Sequence, residues 1–184
     1  MNPRLDDAVA VLGSADCLHD AAAVQAAYDH LSAEISREYA GKNPLLLCVM
    51  IGGLAPTAEI VKRLDFAFEL DYLHATRYRG EIRGAELVWK AHPDIAVAGR
   101  DVLVIDDILD EGHTLAAILT ALRGQNAASV KCAVLCEKLH ARKAPEIHAD
   151  FCGLTVEDRY VFGCGMDYKS YWRQLPAIYA VKGL

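Results

Sequence analysis

No stretch of this chain stays apolar for longer than a strand. The longest such run, Leu45 to Ile51, is far short of the roughly 20 residues a helix needs to cross a bilayer, so no membrane span or membrane partner is expected. The opening Met1-Asn2-Pro3-Arg4-Leu5-Asp6-Asp7 lacks the basic leader and apolar core of a secretory signal, and the expected location is the cytoplasm. Basic charge is scarce as well: 19 Lys and Arg face 25 Asp and Glu for a net of -6, and residues 1–40 hold two Arg and no Lys against seven acids. Nucleic-acid-binding arms are basic, so no nucleic-acid partner is expected. None of the six cysteines (17, 48, 132, 136, 152, 164) forms a C-x-x-C pair, and they read as reduced thiols buried in a core, without metal or disulfide. Internal repeats, low-complexity tracts and linkers are missing too.

What is present is an ordinary globular composition, 53% hydrophobic and 24% charged over 184 residues, which suits one domain with one site. Residues 1–40 are Ala-rich with apolar positions near helical spacing, broken around Gly13-Ser14-Ala15-Asp16; Ser14 or Asp16 is placed to cap a second helix. The uninterrupted Leu45–Ile51 run predicts a strand covered on both faces. Gly52-Gly53 follows, and Pro56 opens a helix over 57–64. The order then repeats. Strands are predicted over 66–72, 85–90, 102–105 and 130–136, and a helix over 113–122. Alternation of this kind predicts an α/β fold, a parallel twisted sheet flanked by helices, with ligands at the carboxyl ends of the strands.

The most informative segment is Val102-Leu103-Val104-Ile105-Asp106-Asp107-Ile108-Leu109-Asp110-Glu111-Gly112-His113-Thr114. An apolar strand delivers two adjacent carboxylates whose side chains point to opposite sides, so Asp106 and Asp107 are expected to face different partners. Gly112 then lets the backbone approach a ligand where a helix start aims free N–H groups outward, an anion cradle. Acids beside a phosphate cradle suit a single ligand, a sugar phosphate: carboxylates accept from ribose hydroxyls, while amides and Thr114 hold the phosphate.

This run resembles the PRPP (5-phosphoribosyl-1-pyrophosphate) signature of type I phosphoribosyltransferases. The C-terminal third, with Glu137-Lys138, the segment Val156 to Tyr168 and Trp172-Arg173-Gln174-Leu175-Pro176, is similar to the purine-binding hood of hypoxanthine-guanine phosphoribosyltransferases, and the likeness runs over residues 45–178. The resemblance implies a type I phosphoribosyltransferase fold with a small hood from the C- and N-terminal segments, divided as a helical segment over 1–40, a core sheet over 45–136 and a hood over 137–184. It implies transfer of phosphoribose from PRPP to hypoxanthine or guanine, giving IMP or GMP and pyrophosphate, with Mg2+ as cofactor and a homodimer or homotetramer as the assembly.

Residue by residue, the resemblance puts Asp106 and Asp107 on ribose hydroxyls and their magnesium, and Glu111, Gly112, His113 and Thr114 on the 5′-phosphate. Asp110 falls beside N7 of the base as the group that accepts its proton. Tyr160 falls in the stacking position, Lys138 on the 6-oxo group, and Val161, Met166 and Asp167 around the remaining edge. Asp167 also lies near a second magnesium, and Arg173 on pyrophosphate. A lysine ammonium donates but cannot accept, so a 6-oxopurine fits and adenine should not. Taken singly, Tyr160 also reads as strand packing, Lys138 as a solvated strand end and Arg173 as a surface ion pair.

Two departures from the family pattern stand out. Gly52-Gly53 matches the pyrophosphate loop without its usual Lys or Arg, leaving backbone N–H groups to receive the anion; a plain strand-to-helix turn is the simpler reading. Arg77-Tyr78 falls where the family has Ser-Tyr in a mobile lid, and an ordinary surface loop reads the same way. Two other functions remain open: a xanthine-preferring phosphoribosyltransferase, and a non-catalytic PRPP-sensing regulator.

Overall fold

The computed structural model describes residues 2–77 and 87–183. In chain order these form α1 (Pro3–Ser14), β1 (Asp16–His19), α2 (Ala21–Tyr39), β2 (Leu45–Val49), α3 (Leu54–Val61), β3 (Glu69–Arg77), β4 (Leu87–Ala91), β5 (Asp101–Leu109), α4 (His113–Arg123), β6 (Ser129–Leu139), β7 (Phe151–Glu157), β8 (Val161–Phe162) and β9 (Ile178–Ala180). Six strands make the main sheet in the order β4-β3-β2-β5-β6-β7, and β1-β9-β8 make a small second sheet. Every pairing in the main sheet is parallel except β3 with β4. This is the α/β architecture predicted, with an antiparallel edge strand that the alternation did not reveal.

Period-two alternation divides the central strands between two cores. Leu46, Leu103, Ile105, Ala133 and Leu135 face α2, whose Val24, Ala27, Tyr28, Leu31, Ile35 and Tyr39 recur at helical spacing. Leu45, Leu47, Val102 and Val104 face Leu115, Ile118, Leu119 and Leu122 of α4 on the opposite side. With both faces covered, all five positions of β2 are buried, which is why that segment carries no polar residue.

Residues 16–19 do not continue the helical pattern. They pair with β9 across more than 150 residues of chain, a partner that no local pattern displays. Ser14 turns its hydroxyl back onto the Ala10 and Val11 carbonyl oxygens instead of capping a helix, and α2 is capped by Asp20, which accepts from the Ala23 N–H at 2.8 Å. β3 begins at Glu69, later than expected, because Phe66 and Phe68 pack edge to face and against the core ahead of the strand. β6 runs on to Leu139, and β7 joins the main sheet beside it. The sheet therefore extends past residue 136, and the hood consists of β8, β9, the loop between them, and β1 and α1 from the N-terminus. Trp172 Nε1 donates to the Ala8 carbonyl at 2.8 Å, and Tyr168 and Lys169 donate to Asp7, which fastens α1 to that loop.

Four cysteines are buried, Cys152 is half-buried and Cys17 is exposed, against the expectation that all would be internal. Burial pushes the Cys132 and Cys164 thiols up to about 12 and the Cys152 thiol up to about 11. Among the described residues no helix is long and apolar enough to cross a membrane.

Leu31 is fully buried between α2 and the sheet. Leu31→Ala is expected to lower the unfolding free energy by about 3 kcal/mol, read as a fall in the urea midpoint at unchanged slope.

Candidate active site

The carboxyl ends of β2, β5 and β6 meet the hood loop, and the candidate residues gather there. β5 brings Asp106 and Asp107 to its end, where the Asp107 N–H donates to Asp106 Oδ1 at 2.9 Å and the Ile108 N–H to Asp107 Oδ1 at 2.7 Å. Asp107 is wedged tightly. A Cβ on Gly52 would lie 2.1 Å from Asp107 Oδ2, and one on Gly165 would lie 2.2 Å from the Gly52 carbonyl oxygen and 3.0 Å from Asp107 Cβ. Only glycine lets the turn after β2 and the hood loop close around this carboxylate.

Strand alternation gives the two acids different neighbours, as expected, but not independence. Burial, and then the adjacent Asp107 charge, raise the Asp106 carboxyl well above the usual range. Burial also raises Asp107, against hydrogen bonds from Asp106 and the Ile108 N–H. Among the described residues, Arg173 supplies a counter-charge 3.9 Å from Asp107 Oδ2. Arg173 is engaged elsewhere, donating to the Gly165 carbonyl and pairing with Asp167 Oδ1, each at 2.5 Å. Asp167 also accepts from the Ser170 N–H at 2.6 Å. The structure thus joins Asp106 to Asp107 and leaves Asp167 with Arg173, in keeping with two separate carboxylate groups, while Asp107 and Asp167 line one cleft. Among the described residues no three His, Cys, Asp or Glu side chains form a cage.

The turn expected to cradle an anion lies at the start of α4. Gly112 caps it in the left-handed conformation at φ 75°, and a Cβ there would meet Leu109 Cδ1 at 2.7 Å and Ile147 Cγ2 at 2.9 Å. The first amides of α4, at His113 and Thr114, lack intrahelical partners and point past this turn. The His113 side chain is half exposed and stands 3.9 Å from Glu111, so the group it can offer an anion at this turn is its backbone N–H. The Glu111 carboxylate is likewise exposed, near Arg142, while its carbonyl accepts from the Ala144 N–H at 2.7 Å.

Beside this end lies a cleft of about 210 Å³ lined by Asp107, Ile108, Asp110, Lys138, Tyr160, Val161, Met166 and Asp167. All but Ile108 were singled out from the sequence. Lys138, buried in β6, donates to Asp110 Oδ2 at 2.7 Å, where the resemblance had it reading a purine oxygen. His140, which the sequence reading passed over, bonds the other carboxylate oxygen, with 2.7 Å from Nε2 to Oδ1. Its signal was its place two residues beyond Lys138, on the same side of an extended chain. Partial burial pushes Asp110 up, but the Lys138 and His140 hydrogen bonds outweigh it and hold the carboxyl below its ordinary range. Tyr160 is 43% exposed at the rim and meets Tyr168 edge to face at 5.5 Å.

One sequence expectation changes, at the glycine pair after β2. The Gly53 N–H donates to the Val49 carbonyl at 2.8 Å, and a Cβ on Gly53 would sit 2.5 Å from the Ile105 carbonyl oxygen. Gly53 therefore closes the turn and packs on β5, its amide spent, while Gly52 is the glycine that faces the acids. Ile51, 52% exposed, precedes Gly52 in this turn, which holds no basic side chain. Arg77 is the last residue of β3, and Tyr78 lies outside the described residues.

A model described as "Phosphoribosyl transferase domain" matches residues 14–170. Hypoxanthine-guanine-xanthine phosphoribosyltransferase of Tritrichomonas foetus is 34% identical over 180 residues, covering 98% of this chain and 95% of its own. Hypoxanthine-guanine phosphoribosyltransferase of Bacillus subtilis (strain 168) is 36% identical over 160 residues, covering 86% and 88%. A crystal structure of a hypoxanthine phosphoribosyltransferase from Staphylococcus aureus superposes with a TM-score of 0.85 at 28% identity, covering 91% of each chain.

A carboxyl whose folded-state pKa is raised holds its proton more tightly folded than unfolded. The stability it contributes is fully present below the ordinary carboxylate pKa and is lost as pH rises through the folded-state value. Asp106→Asn should therefore be more stable than the parent at pH 7 in chelator, by about 1 kcal/mol or more. Urea denaturation across the pH range should show the gap shrinking as pH falls toward 4.

Proposed function

The chain belongs to the phosphoribosyl transferase family, and on that premise we propose that it is a purine salvage enzyme, transferring phosphoribose from PRPP to hypoxanthine or guanine and releasing pyrophosphate. The observation that carries this reading is the Lys138–Asp110 pair facing one cleft. On a 6-oxopurine the O6 acceptor and the N7 position are neighbours on one edge. An ammonium beside a carboxylate matches that edge, Lys138 donating to O6 and Asp110 accepting the proton from N7. Adenine presents an amino donor to Lys138 and leaves a buried charge unpaired.

The remaining roles belong to the same proposal. The α4 N-terminus, with Gly112 allowing close approach and Thr114 in the first turn, holds the 5′-phosphate through backbone amides. Asp106 and Asp107 accept from the ribose hydroxyls. Their hard, crowded oxygens also suit magnesium, which takes one or two carboxylates and completes its shell with substrate oxygens and water. Bound there, the ion would neutralise charge on the departing pyrophosphate. Arg173 stabilises the same charge from the hood side once it exchanges Asp167 for the anion. Tyr160, braced by Tyr168, stacks on the base from the rim, and backbone groups of Val161 and Asp167 read the far edge.

We read the enzyme as cytoplasmic, where its six unpaired thiols stay reduced. Assembly into a dimer or tetramer belongs to the same reading, supported by the exposed apolar side chains of Leu70 and Tyr72 on β3 and of Ile51 and Leu54 after β2.

Pyrophosphate release from PRPP and Mg2+ with hypoxanthine, guanine, xanthine or adenine tests the proposal. Turnover with the first two and none with adenine is the expected result. A preference for xanthine favours a xanthine-preferring phosphoribosyltransferase, turnover of xanthine alongside hypoxanthine and guanine matches the specificity named for the Tritrichomonas foetus relative, and PRPP binding without release with any base favours a sensor. Asp110→Asn should lower kcat by about a hundredfold or more with PRPP affinity little changed, as measured by steady-state kinetics and calorimetry; equal losses in both would remove Asp110 from its role.

A further inference from the structure

No part in the reaction described above falls to His140, yet its side chain is only 3% exposed and lies against the group that takes the proton. Both ring nitrogens are engaged. Nδ1 lies 3.1 Å from the Arg142 backbone N–H and must accept there, which puts the imidazole hydrogen on Nε2. Nε2 stands 2.7 Å from Asp110 Oδ1 and therefore donates. The Arg142 donor is in turn held in place, because its side chain makes a two-pronged pair with Asp158 at 2.6 and 2.9 Å, and the Ala144 N–H in the same loop donates to the Glu111 carbonyl at 2.7 Å.

We infer that His140 is a positioning residue for phosphoribosyl transfer: it locks Asp110 Oδ1 in place, so that Oδ2, the oxygen shared with Lys138, is the one presented to the purine. The inference rests on the reading of the cleft given above. Asp110 extends from the β5–α4 turn and is 43% exposed. Without the imidazole its carboxylate rotates about χ2 and offers either oxygen, or neither, to N7. Lys138 cannot replace this restraint, because on base binding its ammonium moves to the 6-oxo group and lets go of Oδ2. His140 keeps its own bond throughout and touches no substrate atom. It thus divides two duties on one carboxylate: one oxygen is fixed by the protein, the other exchanges partners during the reaction.

Steady-state kinetics of two variants test this, each also made in the Asp110→Asn background. His140→Leu removes the donor and should lower kcat about tenfold or more, as expected for a hydrogen bond to a charged group, with KM for PRPP changed less than about threefold. His140→Gln can still donate from its amide and should recover most of kcat. In the Asp110→Asn background His140→Leu should cost less than about twofold, because its effect runs through that carboxylate. The inference is overturned if His140→Leu keeps kcat within about twofold of the parent, or if it costs as much with Asp110→Asn as without. Should His140→Leu fail to fold, His140→Asn, whose shorter amide stops before Asp110, is read in the same cycle against the same limits. A parent enzyme that releases no pyrophosphate with any purine instead overturns the reading of the cleft itself.

Discussion

The close approach of Gly52 and Gly165 to the Asp107 carboxylate is the contact on which the site depends. It brings the end of β2, the end of β5 and the hood loop within van der Waals distance of one charged group, with no room for a side chain on either flanking glycine. That closeness sets the hood loop against the end of β5, where Asp107 lines the cleft. It is also costly. Two adjacent carboxylates sit at the end of an apolar sheet with one arginine at 3.9 Å, and both are held above the ordinary carboxylate range by burial. A fold selected for stability alone would not concentrate charge there; on the proposed reading, the charge serves to bind ribose hydroxyls and a hard cation.

Ionic pairs arranged around this point hold alternatives to substrate. Arg173 rests on Asp167 and Lys138 on Asp110, each cation paired with an acid that lines the same cleft. An ion pair in a half-buried cleft keeps both charges satisfied and both side chains ordered, and each can be traded for a ligand group of the same sign. In the proposed reaction, pyrophosphate takes the place of Asp167 on Arg173, and a purine oxygen that of Asp110 on Lys138. His140 differs from these pairs because its partners on both sides belong to the protein.

The acidic N-terminus has a structural use in this scheme. α2 covers one face of the sheet, and α1 packs beneath the hood, where Asp7 takes hydrogen bonds from Tyr168 and Lys169 and the Ala8 carbonyl takes one from Trp172. Tyr168 in turn supports the ring of Tyr160. Helical residues at the start of the chain thereby brace the aromatic at the rim of the cleft.

Much of this was legible in the sequence, because two signals were strong and local. Uninterrupted apolar runs at 45–51 and 102–105 mark strands buried on both faces, and the acidic turn from Asp106 to Thr114 carries its chemistry in consecutive residues. The residues that the resemblance assigns to a purine, Lys138, Tyr160, Val161, Met166 and Asp167, line one cleft. What the sequence by itself determined were the interactions encoded over a few residues: strand periodicity, a glycine at a helix start, paired acids at a strand end. Only the tertiary structure decided the rest, because pairing of β1 with β9, the spent amide of Gly53, and the clamp of Lys138 and His140 on Asp110 each join residues far apart in sequence or hang on a single hydrogen bond. Such contacts arise from how the segments pack together, and no residue pattern along the chain records which oxygen a folded-back side chain will find.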